Sequence, residues 1–583
     1  MITIRRDGER PRRNRGCMWT IIVCAALYIG MCWIFGAMFS SMFSTSEAKL
    51  KENTIYRLDM KGNVVEQAKE SSPFASLMNA APYGQQEETV GLDEILSNIK
   101  LAKKDDRVAG IYLRGGELGV APANAKVIRD ALLDFKESGK WVIAYADGYS
   151  QINYYIATAA DKIYLNPVGS VSWHGLGGNM AYYKRLLDKI GVEMQVIKVG
   201  TFKSAVEPYI RTSMSEADRK QTQIYLDGIW KEVLGAVSQS RNISVDKLNA
   251  YADEFMDAQE QEKYLQYGLV DSLVYIQSMD TIIKGLIGKE DYQVLSHAKM
   301  STVKRDTKKS DNKIAVVYAE GEITDNKGNG IVGTEMVKTL GKVLNDKNVK
   351  AMVFRVNSPG GSANASEQIW HAVKLIQKAG KPVVVSMGDY AASGGYYISC
   401  EAEYIFAEPT TLTGSIGIFG LIPNVSKLRD KVGYDIDGIG TNKHAAMQSN
   451  MMMRGMDASE RAIMQSHIDN FYDLFTSRCA EGRARSQEYI KSIGEGRVWL
   501  GCDAVELDLV DELGNIDDAI AKAADIAGLE EYELAYYPEK KDSMEELMKM
   551  FDNSSDEEKL IAKFRELVKQ PRILMLAPVI EIK

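Results

Sequence analysis

Two glycine-rich turns hold the residues of this 583-residue chain best suited to covalent chemistry. One reads Asn357-Ser358-Pro359-Gly360-Gly361-Ser362 and the other Gly388-Asp389-Tyr390-Ala391-Ala392-Ser393-Gly394-Gly395-Tyr396-Tyr397. A serine at the tip of a strand-to-helix turn presents an exposed hydroxyl beside a backbone N–H, near the positive end of a helix dipole. Ser393, followed by two glycines, has that setting and reads as a nucleophile. Gly360 and Gly361 in the neighbouring turn permit the close backbone approach and unusual dihedrals that an oxyanion hole needs. Each turn alone is only a tight turn; at adjacent strand ends the two make an acyl-transfer site.

A nucleophilic serine needs a base, and His, Lys or an N-terminal amine can serve. The chain has five His, of which His444 and His467 follow Ser393. They leave a Ser-His-Asp arrangement formally open, although no G-x-S-x-G surrounds Ser393. There is no H-E-x-x-H, no Walker loop and no C-x-x-C among the six Cys, so neither a metal nor another cofactor is expected. A net charge of -8 offers no domain-scale basic surface for phosphates, which excludes a nucleic-acid partner.

The elements that must position these turns are short β-branched runs such as residues 313–318, 351–356 and 382–387, separated by helical patterns. Residues 366–379 carry apolar side chains at i, i+3 and i+4 spacings and end at Gly380-Lys381-Pro382. Strands alternating with crossover helices predict an α/β fold with a largely parallel sheet. The carboxyl ends of such strands carry the site, as the two turns require.

The pattern occurs twice. Residues 106–114 match 347–355 at an offset of 241, Tyr154-Tyr155-Ile156 matches Tyr396-Tyr397-Ile398 at 242, Pro167 matches Pro409, and Gly268-Leu269-Val270-Asp271 answers Asp508-Leu509-Val510-Asp511 at 240. Such an ordered set of anchors marks a duplication. Ahead of it, residues 17–39 contain no charge over 23 positions, enough to span a bilayer core. Six Arg against Asp7 and Glu9 precede them, so the tail is expected in the cytoplasm and the remainder across the membrane. The run exceeds a signal-peptide core and lacks a clean small-x-small cleavage site, favouring an anchor over a cleaved leader. The expected organisation is a cytoplasmic tail 1–16, an anchor 17–39, a first unit 40–300, a second unit 301–535 and a tail 536–583.

Ala392-Ser393-Gly394-Gly395-Tyr396-Tyr397, Asn357-Ser358-Pro359-Gly360-Gly361, Thr413-Gly414-Ser415-Ile416-Gly417 and Lys203-Ser204-Ala205-Val206-Glu207-Pro208-Tyr209 together resemble the long, duplicated form of bacterial signal peptide peptidase A, also called protease IV. The resemblance runs from the anchor to about residue 530. It implies two tandem Clp-protease/crotonase-like units and a serine protease with a Ser-Lys dyad split between them. It also implies a place in the inner membrane with the catalytic part on the periplasmic side, and cleaved signal peptides and unfolded apolar peptides as substrates. Ser393 then corresponds to the nucleophile, Lys203 to the base, Ser415 to an accessory hydroxyl on the lysine, and Gly361 and Gly394 to the oxyanion donors, with Gly360 as alternative. A lysine serves as base at neutral pH only if desolvation lowers its pKa by several units.

Ser393 falls opposite Gln151, and the Pro-Gly-Gly turn falls opposite Gly115-Gly116-Glu117-Leu118, so the first copy lacks a nucleophile. The lysine occurs in both, because Gly200-Thr201-Phe202-Lys203 answers Gly440-Thr441-Asn442-Lys443. Lys443 is therefore a competing base. If each unit donates its lysine to its neighbour in a ring, Lys203 serves Ser393 and several chains are needed, which points to a homotetramer. A catalytically inactive scaffold of the same fold and a crotonase-type acyl-CoA hydratase are the rival readings. The intact Ser393, Lys203 and glycine turns oppose the first, and an extracytoplasmic location without CoA, with a Ser in place of catalytic carboxylates, opposes the second. Beyond the second unit, residues 559–569 read as an amphipathic helix, and Ile573-Leu574-Met575-Leu576 as an edge strand or subunit contact. Met447, Met451, Met452, Met453 and Met456 read as core or as the lining of an adaptable apolar groove.

Overall fold

The computed structural model describes residues 47–68, 88–305, 309–539 and 572–576. The charge-free run 17–39 and the helical pattern 559–569 lie outside them. Among the described residues no helix is long and apolar enough to cross a membrane.

The duplicated pattern folds into two α/β sheets of matching order. In the first, the strands Gln293–Ser296, Thr54–Asp59, Val108–Arg114, Trp141–Ala146, Lys162–Leu165 and Ser272–Leu273 lie side by side and all parallel. In the second, Glu533–Tyr537, Lys313–Glu320, Val349–Ser358 and Val383–Ala392 are parallel neighbours. The second unit thus runs on to Tyr537. The two copies share a register, since Ile111 pairs with Val142 and Met352 with Val383. The strands are near-continuous apolar runs buried on both faces, as in Ile314 to Ala319, because helices cover both sides of a parallel sheet.

The strand Val383–Ala392 forks, and the fork positions the site. Its first half pairs with Tyr404–Ala407 and its last three residues with Leu412–Gly414. Ser393 therefore leaves the sheet beside Gly414, to whose carbonyl oxygen its N–H donates at 2.8 Å.

A third sheet joins the copies. Its order is Ile331–Val332, Ile323–Thr324, Gly360–Ser362, Arg572–Leu576, Ile418–Asn424 and Glu193–Val199. The last strand belongs to the first copy and runs antiparallel to Ile418–Asn424 over seven paired positions. Arg572–Leu576 lies antiparallel to both Gly360–Ser362 and Ile418–Asn424. It is an interior strand rather than the expected edge, because the slot between those two segments offers unpaired backbone on either side.

Candidate active site

The site is assembled where the strands Val349–Ser358 and Val383–Ala392 end. Ser393 takes φ 57° and ψ -116° at the start of the short helix Gly394–Tyr397, a left-handed conformation that non-glycine residues adopt at strained turns. A Cβ on Gly395 would lie 2.5 Å from Ser358 O, and one on Gly394 would lie 2.8 Å from Ser366 Oγ and 3.1 Å from Gly361 N. The two glycines after the serine are thus demanded by the neighbouring turn, whose backbone presses against them.

The lysine comes from the other copy. Residues 200–206 follow the cross-copy strand and lie along the second copy: Phe202 N–H donates to Glu495 O at 3.0 Å. Gly496 and Gly417 leave room for the lysine stem, since Cβ atoms there would meet Lys203 Cβ at 2.7 Å and Lys203 Cδ at 3.3 Å. Lys203 Nζ stands 2.7 Å from Ser393 Oγ and 3.0 Å from both Ser415 O and Ser415 Oγ. All three residues are fully buried. The serine hydroxyl is thus not exposed at a turn tip as the sequence pictures it, because the first copy's loop covers it. Burial alone pushes the Lys203 pKa well below its ordinary value, since desolvation disfavours the ammonium form.

A hydroxyl, an amine that burial keeps neutral and a second hydroxyl on that amine thus meet at one point, an arrangement able to carry acyl transfer. A model of peptidase family S49 matches residues 134–286 and 376–530, one segment in each copy and together more than half of the chain. The chain belongs to peptidase family S49. Protease 4 of Salmonella typhi is 40% identical over 460 residues, covering 76% of this chain and 74% of that protein. Protease 4 of Haemophilus influenzae is 35% identical over 533 residues, covering 87% and 85%. The chloroplastic serine protease SPPA of Arabidopsis thaliana is 29% identical over 508 residues, covering 85% and 72%. The resemblance to signal peptide peptidase A carried by the four motifs is borne out, duplication included, and the chain is an S49 serine protease.

In this S49 peptidase Lys443 is remote from the serine: it is exposed and donates to Ser459 Oγ at 3.2 Å. Ser459 Oγ also lies 3.5 Å from His444 Nε2, and His467 stacks edge-on against Phe471. Neither histidine pairs with Ser393. Gly360 is withdrawn from the donor set, because its N–H is given to Ser358 Oγ at 3.2 Å. Gly361 is required by the turn for a steric reason, since a Cβ there would lie 2.0 Å from Ile323 O. Gly361→Ala is therefore expected to push the turn off the nucleophile and lower turnover of a peptide reporter by about 10²–10³-fold, the loss typical of one oxyanion donor. An unchanged circular dichroism spectrum would accompany it, and a wild-type rate would remove Gly361 from the site.

The first copy's counterpart is closed by its own side chain. Gln151 donates through Nε2 to Gly175 O and accepts through Oε1 from His174 N–H and Gly175 N–H, each at 3.0 Å. The carboxamide replaces a nucleophile by a loop tie.

Several site residues escaped the sequence reading. Gln221, on the helix Glu216–Arg241, donates to Phe202 O and Ser204 Oγ at 3.1 Å and so braces the lysine loop. Glu66, Asn124, Arg355 and Asp389 form a buried polar cluster beneath the two turns. Burial pushes the Asp389 carboxyl up to about 6. A polar residue on an otherwise apolar run, such as Arg355 in residues 351–356, was the one available signal.

Proposed function

We propose that this protein is a membrane-anchored serine endopeptidase that uses Ser393 and Lys203 to degrade cleaved signal peptides and other unfolded apolar peptides. The approach of Lys203 Nζ to Ser393 Oγ at 2.7 Å inside a fully buried contact, with burial as the only influence on the amine, carries the reading. The neutral amine takes the hydroxyl proton as Oγ attacks the scissile carbonyl carbon. Gly361 and Gly394 N–H groups hold the oxyanion, and Ser415 Oγ orients the amine. The resulting ammonium gives its proton to the departing peptide amine. Water, deprotonated by the same lysine, then cleaves the acyl ester and restores both groups.

The slot between Gly360–Ser362 and Ile418–Asn424 supports an extended peptide as substrate, because the chain's own Arg572–Leu576 pairs antiparallel with both walls. Pairing through backbone groups accepts many sequences, as degradation of varied peptides requires. The charge-free residues 17–39 would hold the catalytic part at the periplasmic face of the inner membrane. The chains would join as a homotetramer. Within one chain Glu193–Val199 pairs with Ile418–Asn424, whereas its counterpart in the second copy, residues 433–439, stands exposed, with Ile439 at 99%.

Labelling of the detergent-solubilised protein by a serine-reactive fluorophosphonate tests the reading. Wild type and Lys443→Ala are expected to label and to cleave a signal-peptide reporter, and Ser393→Ala to do neither. A well-folded wild type that neither labels nor cleaves would leave the inactive scaffold as the better account.

A further inference from the structure

The first copy sends a second side chain toward the catalytic turns, far from Lys203. Glu66 follows the strand Gly62–Val65 and reaches under the ends of Val349–Ser358 and Val383–Ala392. It is 2% exposed and its partner Arg355 1%. Glu66 Oε2 accepts from Arg355 Nε at 2.8 Å. Glu66 Oε1 accepts from Asn357 Nδ2 at 2.8 Å, Asn124 Nδ2 at 2.9 Å and Arg355 Nη2 at 3.3 Å.

Asn357 is the residue on which this geometry bears. It opens the oxyanion turn, and its Oδ1 accepts from Tyr390 N–H at 3.0 Å, three residues before the nucleophile. One carboxamide therefore ties the two turns to each other, and the Glu66 carboxylate fixes its orientation from below. The tie continues upward. Gly321 N–H donates to Asn357 O at 2.9 Å, Ser358 Oγ donates to Gly321 O at 2.7 Å, and Gly360 N–H donates to Ser358 Oγ at 3.2 Å. Gly388 makes room for the carboxylate, since a Cβ there would meet Glu66 Oε1 at 2.7 Å and Asn357 Cβ at 2.9 Å.

We propose that Glu66 is a positioning residue for catalysis: acting through Asn357, it holds the oxyanion turn and the nucleophile turn at their working separation, so the turns are aligned only when the first copy is docked. This rests on the protease reading above. The first copy supplies the base and the alignment together, and an undocked second copy lacks both. Misplacing a reacting group by about 1 Å lowers rates about 10²-fold, which sets the expected size of the effect.

The test compares Asn357→Ala, Glu66→Gln and Glu66→Ala in the full-length protein, by kcat and KM on a peptide reporter, fluorophosphonate acylation rate and melting temperature. Asn357→Ala, which leaves the Glu66–Arg355 pair in place, is expected to melt near wild type. It should lose about 10²-fold in kcat and acylation rate, with KM within about twofold. Glu66→Gln keeps an acceptor for Asn357 and is expected to retain more activity than Glu66→Ala. Should Glu66→Ala fail to fold, Asn357→Ala and Glu66→Gln decide. Wild-type acylation in Asn357→Ala, or losses that follow only the folded fraction, would overturn the proposal. An unlabelled wild type would instead bring down the protease reading, and this inference with it.

Discussion

Lys203→Met is expected to abolish peptide hydrolysis while making the protein more stable. The loss should reach about 10²–10⁴-fold, the usual contribution of a general base, because among the described residues no other amine stands at Ser393 Oγ. The gain in stability follows from burial. The folded state lowers the lysine's pKa, so between that lowered value and the ordinary value near 10.5 the unfolded chain binds the additional proton. Wild-type stability therefore rises with pH across that window, and below it folding bears the full cost of a buried charge. Methionine has nearly the same length and no charge to bury, so the melting-temperature gain should be largest in acid and shrink toward pH 10. Activity of the wild type should rise with pH through the same lowered pKa, as the neutral amine accumulates. Lys443→Ala should change neither quantity. A Lys203→Met protein that keeps wild-type acylation would refute the dyad.

Arg355→Met is expected to be among the most destabilising single changes in the chain, at about 3–5 kcal/mol. Its guanidinium donates to Glu66, to Asn124 Oδ1 and Ser386 Oγ, and to Met387 O. The buried carboxyls of Asp389 and Glu408 also feel its charge. Removing it leaves the Glu66 carboxyl without its counter-charge and three of its neighbours without a donor in the joint between the copies, where water cannot replace the lost bonds. The double variant Glu66→Leu/Arg355→Met should recover much of the loss, since replacing both members of a buried pair by apolar groups is often neutral. Thermal denaturation in detergent measures both. A single variant that melts within a degree or two of wild type would show that the pair adds little to the joint.

The two glycine turns, the buried strands and the duplication were all legible in the sequence because they rest on local rules. Strand ends, turn residues and hydrophobic period act over a few positions, and the copies repeat them in the same register. The candidate nucleophile was legible for the same reason, since Ser393 stands in a turn whose glycines are close neighbours in the chain.

Which lysine serves it was not legible from residue pattern alone. Gly-Thr-x-Lys occurs in both copies, and only the resemblance to a known family favoured Lys203. Nor could the sequence show that Glu66 meets Arg355, 289 positions away, or that Gly360's N–H is already used. By itself the sequence determined the parallel α/β architecture, the two copies and the single serine turn at the strand end. The tertiary structure alone decided that Lys203 lies against Gly417 and Gly496, that the Ser393 hydroxyl is buried rather than exposed, and that one copy brings both Lys203 to Ser393 and Glu66 to Asn357 and Arg355. The physical reason is range: burial and hydrogen-bond partners across a joint between copies depend on how the units dock, and no short-range pattern encodes that docking.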